Sequence, residues 1–151
     1  MKLFTWPYLG QDALAQRDFQ DDEQALTAVK QFFSAIDGTS TILLIISIVL
    51  PAVICIYYHK GFNNKPGRHY IPKYQFMFFL VSAAATLVVS WIVEIAIVKL
   101  PPVDGNFGVF RFLVAIGSMC FGMVIYTITA LVFGFTGRTN AFPLHKLLSK
   151  K

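Results

Sequence analysis

Three long runs of apolar residues alternate with polar connections along the chain. The runs cover about residues 39–58, 75–98 and 112–135, and the second of them holds a single charged residue, Glu94. A helix of about 20 residues, rising about 1.5 Å per residue, spans the roughly 30 Å hydrocarbon core of a bilayer. Lipid offers no hydrogen-bond partners, so a spanning segment of this length must be helical. The pattern predicts an all-α integral membrane protein whose transmembrane domain, residues 39–135, contains three transmembrane helices.

The N-terminal region, residues 1–38, is polar and follows a different pattern. Between about residues 19 and 36, apolar side chains recur at spacings of three, four and seven, which predicts an N-terminal amphipathic helix. Asp37 and Gly38 form a plausible helix end. The acidic outer face favours docking on a protein over lying on a membrane surface, for which basic faces are typical. The apolar positions are Phe19, Leu26, Val29, Phe33 and Ile36.

The composition also indicates a membrane protein. Hydrophobic residues make up 56% of the 151 residues and charged residues only 14%, whereas about 25% is usual in soluble domains. A chain this short has too little interior to hide so much apolar surface from water. The net charge of +5 comes from basic residues beside the apolar runs, and this distribution argues against nucleic acid as a partner. The expected partners are membrane lipids and other membrane protein subunits or copies of this chain.

The distribution of Lys and Arg predicts the orientation of the chain. The first connector, residues 59–74, and the C-terminal tail, residues 136–151, each hold four Lys or Arg, whereas residues 1–38 hold three against six acids. Basic loops stay in the cytoplasm. This predicts a multi-pass plasma (inner) membrane protein with its N-terminus outside and its first connector and C-terminus in the cytoplasm. The basic residues expected to anchor at lipid headgroups are Lys60, Lys65, Arg68 and Lys73, with Asn63 and Asn64 as further candidates for binding lipid phosphate.

A row of polar residues along the second run provides the candidate functional site. Ser82, Thr86, Ser90 and Glu94 recur at every fourth position. Such a row stays on one side of a helix and is expected to face protein or water. The functional interpretation is a proton or cation site at Glu94. We favour a helix–helix seam in which Glu94, within reach of water, pairs with a basic residue. A proton or cation site is disfavoured because a lone acid has no second relay group. The candidates for the basic residue that pairs with Glu94 are Lys99, Arg111 and a residue of a partner.

Small residues and a proline predict close helix packing in the other two runs. Gly117, Ser118 and Gly122 would let the third helix approach a neighbour, and Pro51 would kink the first. The two cysteines, Cys55 and Cys120, are interpreted as small apolar fillers. The sequence holds no catalytic motif, no cofactor-binding loop and no set of metal ligands at suitable spacing.

These features favour a non-enzymatic accessory or scaffold subunit of a larger membrane protein complex, of a secretion, conjugation or energy-transducing type. Three helices have few ways to bury both a polar row and a small-residue seam, so we expect partner helices to cover them. One alternative is a homo-oligomeric cation channel lined by the polar row, with Glu94 at its outer mouth. Another is a membrane immunity or regulatory protein.

Overall fold

The computed structural model describes residues 22–103, 105–136 and 139–144. Within these ranges the chain forms three long α-helices and one short 3-10 helix, without any strand. All three α-helices are long and apolar enough to cross a membrane. The predicted all-α architecture with three such helices is confirmed. The elements are α1 (Glu23–Lys60), the 3-10 helix (Phe62–Asn64), α2 (Pro72–Ile97) and α3 (Phe107–Phe135).

Helix α1 is longer than the first apolar run. It begins after Asp22, whose Oδ1 accepts hydrogen bonds from the backbone N–H groups of Gln24 and Ala25, both at 3.0 Å. This is the geometry of an N-terminal cap. The helix then continues without a break through Asp37 and Gly38 to Lys60.

The predicted helix end at Asp37 and Gly38 is therefore wrong. A glycine inside a helix costs about 1 kcal/mol relative to alanine, and burial of the neighbouring Ile36 and Thr39 offsets that cost. No separate amphipathic helix is seen in the described residues, because residues 23–36 form the first part of α1. Phe19 lies outside the described residues.

Helices α2 and α3 also begin before their apolar runs. Helix α2 starts at Pro72, a residue suited to the first helical position because it lacks an N–H group. Helix α3 starts at Phe107, before the start predicted at residue 112. Arg111 suggested a boundary there, but its Nη1 donates a hydrogen bond to the carbonyl of Val98 at 2.9 Å, so the helix accommodates this charge.

The described residues fall into two compact units, and the first combines the described part of Met1–Ile45 with Leu87–Ser118. Its buried core includes Val29, Phe32 and Ile36 of α1. The Phe32 ring meets that of Phe107 edge-on, with 5.2 Å between centroids. The first part of α1 is therefore held by apolar contacts with the start of α3.

The second unit combines Ile46–Thr86 with the described part of Met119–Lys151 and has an aromatic core. The ring of Phe78 lies 5.1 Å from that of Tyr58 and 4.9 Å from that of Phe62. The connector before α2 is tied to the segment after α3, since the Tyr70 N–H donates to the Asn140 carbonyl at 2.9 Å. Aromatic packing and this backbone contact hold the connector in place.

Candidate functional site: the polar row of helix α2

All four residues of the polar row are buried within the single chain. Ser82 is 1% exposed, and Thr86, Ser90 and Glu94 are 0% exposed. Burial of the row needs no helices from a partner, contrary to our expectation. Buried polar groups require hydrogen-bond partners, so the contacts of each residue show what the row does.

Glu94 is hydrogen-bonded to helix α1. The Thr39 hydroxyl lies 2.5 Å from Glu94 Oε1 and also 2.7 Å from the carbonyl of Ile36 in its own helix. The second carboxyl oxygen, Oε2, has no hydrogen-bond partner among the described residues. Glu94 lies near the end of α2, as expected, but its complete burial places it out of reach of water, contrary to the expectation. Arg111, one of the candidate pairing partners, donates a hydrogen bond to the Val98 carbonyl and also interacts electrostatically with Glu94.

Ser90 is hydrogen-bonded to helix α3. Its hydroxyl oxygen lies 2.7 Å from that of Ser118, and either group can be the donor. Both side chains are buried. Hydrogen bonds between transmembrane helices contribute about 0.6 kcal/mol on average. Ser118, which the sequence suggested as a small packing residue, therefore also supplies a polar contact.

The other end of the row lies in the second unit, at a close approach of all three helices. The Thr86 hydroxyl donates to the Ser82 carbonyl at 2.8 Å. A Cβ atom placed on Gly122 would lie 3.0 Å from Pro51 Cγ and 3.2 Å from Thr86 Cγ2. Only glycine fits between these two neighbours without displacing them. Pro51 is buried, whereas Gly117, in the first unit, is partly exposed.

Most of the charged side chains of the basic connector are exposed at the protein surface. Lys60, Lys65 and Lys73 are exposed, whereas the Arg68 guanidinium lies 4.2 Å above the ring of Phe62. This is cation–π distance. Asn63 is fully buried, so its suggested contact with lipid phosphate is not available.

Several further buried polar residues in the second unit were not predicted as a site from the sequence. His59 Nδ1 lies 3.1 Å from the Thr139 hydroxyl, and the His59 ring stacks on Phe133. Gln75 and Tyr126 are also buried, and Gln75 Oε1 and the Tyr126 hydroxyl have no hydrogen-bond partner in the described ranges. The signal in the sequence is their polar character, for His59 and Gln75 near the ends of apolar runs and for Tyr126 inside the third run.

The two cysteines differ in their surroundings. Cys55 is a buried free thiol in the aromatic core, as expected of a small apolar filler. Cys120 is a free thiol that is exposed on α3, so it does not fill the interior. The two thiols therefore lie in different environments within the second unit.

The contacts of the polar row join helices instead of converging on one point. Glu94 contacts α1 through Thr39, and Ser90 contacts α3 through Ser118. No group of three His, Cys, Asp or Glu within the described ranges is placed to hold a metal ion. This geometry supports a packing seam. In comparisons with known proteins, no family model, no curated protein and no solved structure matches the chain.

Proposed function

We propose that this chain is a multi-pass membrane protein that serves as a non-enzymatic accessory or scaffold subunit of a membrane protein complex. The supporting observation is the length of α1, which has 38 residues. At about 1.5 Å per residue it is roughly 57 Å long, nearly twice the thickness of the hydrocarbon core. The apolar run at residues 39–58 is long enough to span the hydrocarbon core, so residues 23–38 form a helical arm outside the bilayer.

The arm is built to present a polar surface to a partner. Its apolar side chains, including Val29, Phe32 and Ile36, are buried within the first unit. The outer side of the arm carries the exposed residues Gln24, Thr27, Lys30, Gln31 and Ser34. A helix held by in-chain contacts needs no ordering when a partner binds, which lowers the cost of association. The proposed partner is the extramembrane part of another subunit.

The apolar outer surface supports a membrane location. Ile45, Val53, Ile92 and Val132 are all more than half exposed. A surface of this kind in water would lead to aggregation, whereas lipid solvates it. The excess of Lys and Arg in the first connector and the tail supports placing both in the cytoplasm of a plasma (inner) membrane.

Burial of the polar row favours a scaffold over the cation channel. A pore between copies needs its lining side chains on the outside of each chain. Ser82, Thr86, Ser90 and Glu94 are each at most 1% exposed in the single chain, and two of them are hydrogen-bonded to other helices. The row is thus enclosed within the chain, and Ser90 and Glu94 are hydrogen-bonded to neighbouring helices.

The proposed topology predicts opposite accessibility for two single cysteines. In Lys65→Cys the new thiol lies in the first connector, and in Pro102→Cys it lies in the second, both at exposed positions. We expect a membrane-impermeant maleimide to label Pro102→Cys in intact cells and Lys65→Cys only after the membrane is opened. The unsubstituted chain is the control, because Cys55 is buried and Cys120 lies on an apolar helix surface. Labelling of both from one side would rule out a span between the connectors, and the reverse pattern would invert the orientation.

The arm predicts site-specific crosslinking to a partner. A photoreactive amino acid at Lys30 or Ser34, both exposed on the arm, should give one discrete adduct heavier than the chain. The same amino acid at Ile92, exposed on the apolar surface of α2, is the matched control and should give lipid adducts only. The measurement is the mass of the adducts after affinity purification in mild detergent. A chain that purifies as a monomer, with no adduct from either arm position, would contradict the scaffold proposal.

A further inference from the structure

The second unit carries an apolar groove between α2 and α3. Two adjoining cavities of about 290 and 370 Å³ share the side chains of Phe79 and Thr127. The first cavity is also lined by Gln75 and Tyr126, and Phe142 from the segment after α3 lies against it. The second continues along α3 past Val124. Their shared lining is mostly apolar and open on one side, which suits a hydrocarbon chain.

Two buried polar atoms beside this groove have no hydrogen-bond partner among the described residues. Gln75 is 5% exposed and Tyr126 is 1% exposed. Neither Gln75 Oε1 nor the Tyr126 hydroxyl has a hydrogen-bond partner in the described part of the chain. Burying a polar group without a partner is unfavourable. A ligand that brings a hydroxyl group into the groove would donate to Gln75 Oε1 and could also bond to Tyr126.

The charge beside the groove indicates the rest of the ligand. Pro72, at the end of the basic connector, lines the first cavity, and the exposed Lys73 follows it. Residues 59–74 contain four Lys or Arg and no acidic residue. An anionic group is therefore favoured at this end of the groove, and an apolar chain is favoured along the rest of it.

We propose that this groove binds an anionic phospholipid with a hydroxyl-bearing headgroup, of the phosphatidylglycerol type. One acyl chain lies along Phe79 and Val124, and the phosphate lies beside Lys73. The headgroup hydroxyl donates to Gln75 Oε1. This inference rests on the proposed membrane location, and it goes further by assigning a selective lipid site to the surface between α2 and α3.

Native mass spectrometry of the purified chain tests this site with dioleoyl phosphatidylglycerol and dioleoyl phosphatidylcholine. We expect the chain to retain phosphatidylglycerol in preference to phosphatidylcholine. The double substitution Gln75→Leu with Tyr126→Phe, which removes both polar atoms and keeps their approximate shape, should weaken phosphatidylglycerol binding about tenfold, the equivalent of one hydrogen bond. Thr129→Val is the matched control, since the Thr129 hydroxyl bonds to the Ile125 carbonyl of its own helix. This control should leave binding unchanged.

Two outcomes would overturn the lipid site directly. Equal retention of both lipids would mean non-selective coating by lipid only. A loss of binding in Lys73→Gln without any loss in the double variant would place the lipid on the basic surface and not in the groove. If the double variant binds weakly and its lipid-free unfolding midpoint has also fallen, the weak binding does not support the site. In that case Val124→Trp, which fills the groove, is the deciding variant. Retention of the preference for phosphatidylglycerol in Val124→Trp would overturn the site. The cysteine labelling at positions 65 and 102 does not depend on lipid preference, so a chain that labels as proposed but shows no preference would contradict this inference alone.

Discussion

Replacing Gly122 with leucine will lower the free energy of unfolding by about 1–3 kcal/mol, the usual cost of overpacking. A Cβ atom at this position would lie 3.0 Å from Pro51 Cγ and 3.2 Å from Thr86 Cγ2. Neither neighbour can move freely, because the proline ring is part of α1 and the Thr86 hydroxyl is hydrogen-bonded to the Ser82 carbonyl. The measurement is the unfolding transition of the purified chain in mild detergent, followed by circular dichroism.

Gly108 provides the matched control for this substitution. It lies in the same helix, α3, and a Cβ atom there would have no described residue within 4 Å. Because Gly108 is exposed in the first turn of α3, Gly108→Leu should change the free energy of unfolding by at most about 0.5 kcal/mol. Gly122→Ala should fall between the two leucine variants. Equal stability of Gly122→Leu and Gly108→Leu would show that the three helices do not meet closely at Gly122.

The three long apolar helices could be predicted because the length and the apolar content of a segment are properties of its local sequence. Runs of about 20 apolar residues form helices in lipid whatever their neighbours are. The continuity of α1 could not be predicted in the same way. Asp37 and Gly38 are local signals for a helix end, and they are overridden by burial of Ile36 and Thr39, which depends on residues far along the chain.

The candidate site shows the same division between local and distant information. The four-residue spacing of the polar row predicts one common helix side, and all four residues are indeed buried. The spacing cannot identify what faces them, since Thr39 lies 55 residues from Glu94 and Ser118 lies 28 residues from Ser90. For Gln75 and Tyr126, the direction in which a polar side chain points depends on the rotation of its helix. Packing sets that rotation, so the sequence could not distinguish interface anchors from groove residues.

Thr39→Val will destabilise the chain by about 1–3 kcal/mol, because it leaves both carboxyl oxygens of the buried Glu94 without a hydrogen-bond partner among the described residues. In the unsubstituted chain the Thr39 hydroxyl lies 2.5 Å from Glu94 Oε1. The hydroxyl also lies 2.7 Å from the Ile36 carbonyl, and Thr129→Val controls for that contact. The Thr129 hydroxyl has an equivalent bond to the Ile125 carbonyl, at 2.8 Å, and within the described ranges none to another helix. We expect Thr129→Val to cost at most about 0.5 kcal/mol.

The double-mutant cycle of Thr39→Val with Glu94→Leu isolates the contact between the two side chains. Removing both polar partners together can be nearly neutral, so the double variant should be more stable than Thr39→Val alone. The expected coupling is about 1 kcal/mol, within the range found for hydrogen bonds between transmembrane helices. A seam needs hydrogen-bonding capacity at position 94 and no negative charge. Glu94→Gln should therefore unfold no more easily than the unsubstituted chain. Zero coupling, together with a costly Glu94→Gln, would contradict the seam and show that the buried carboxyl group is held by contacts other than Thr39.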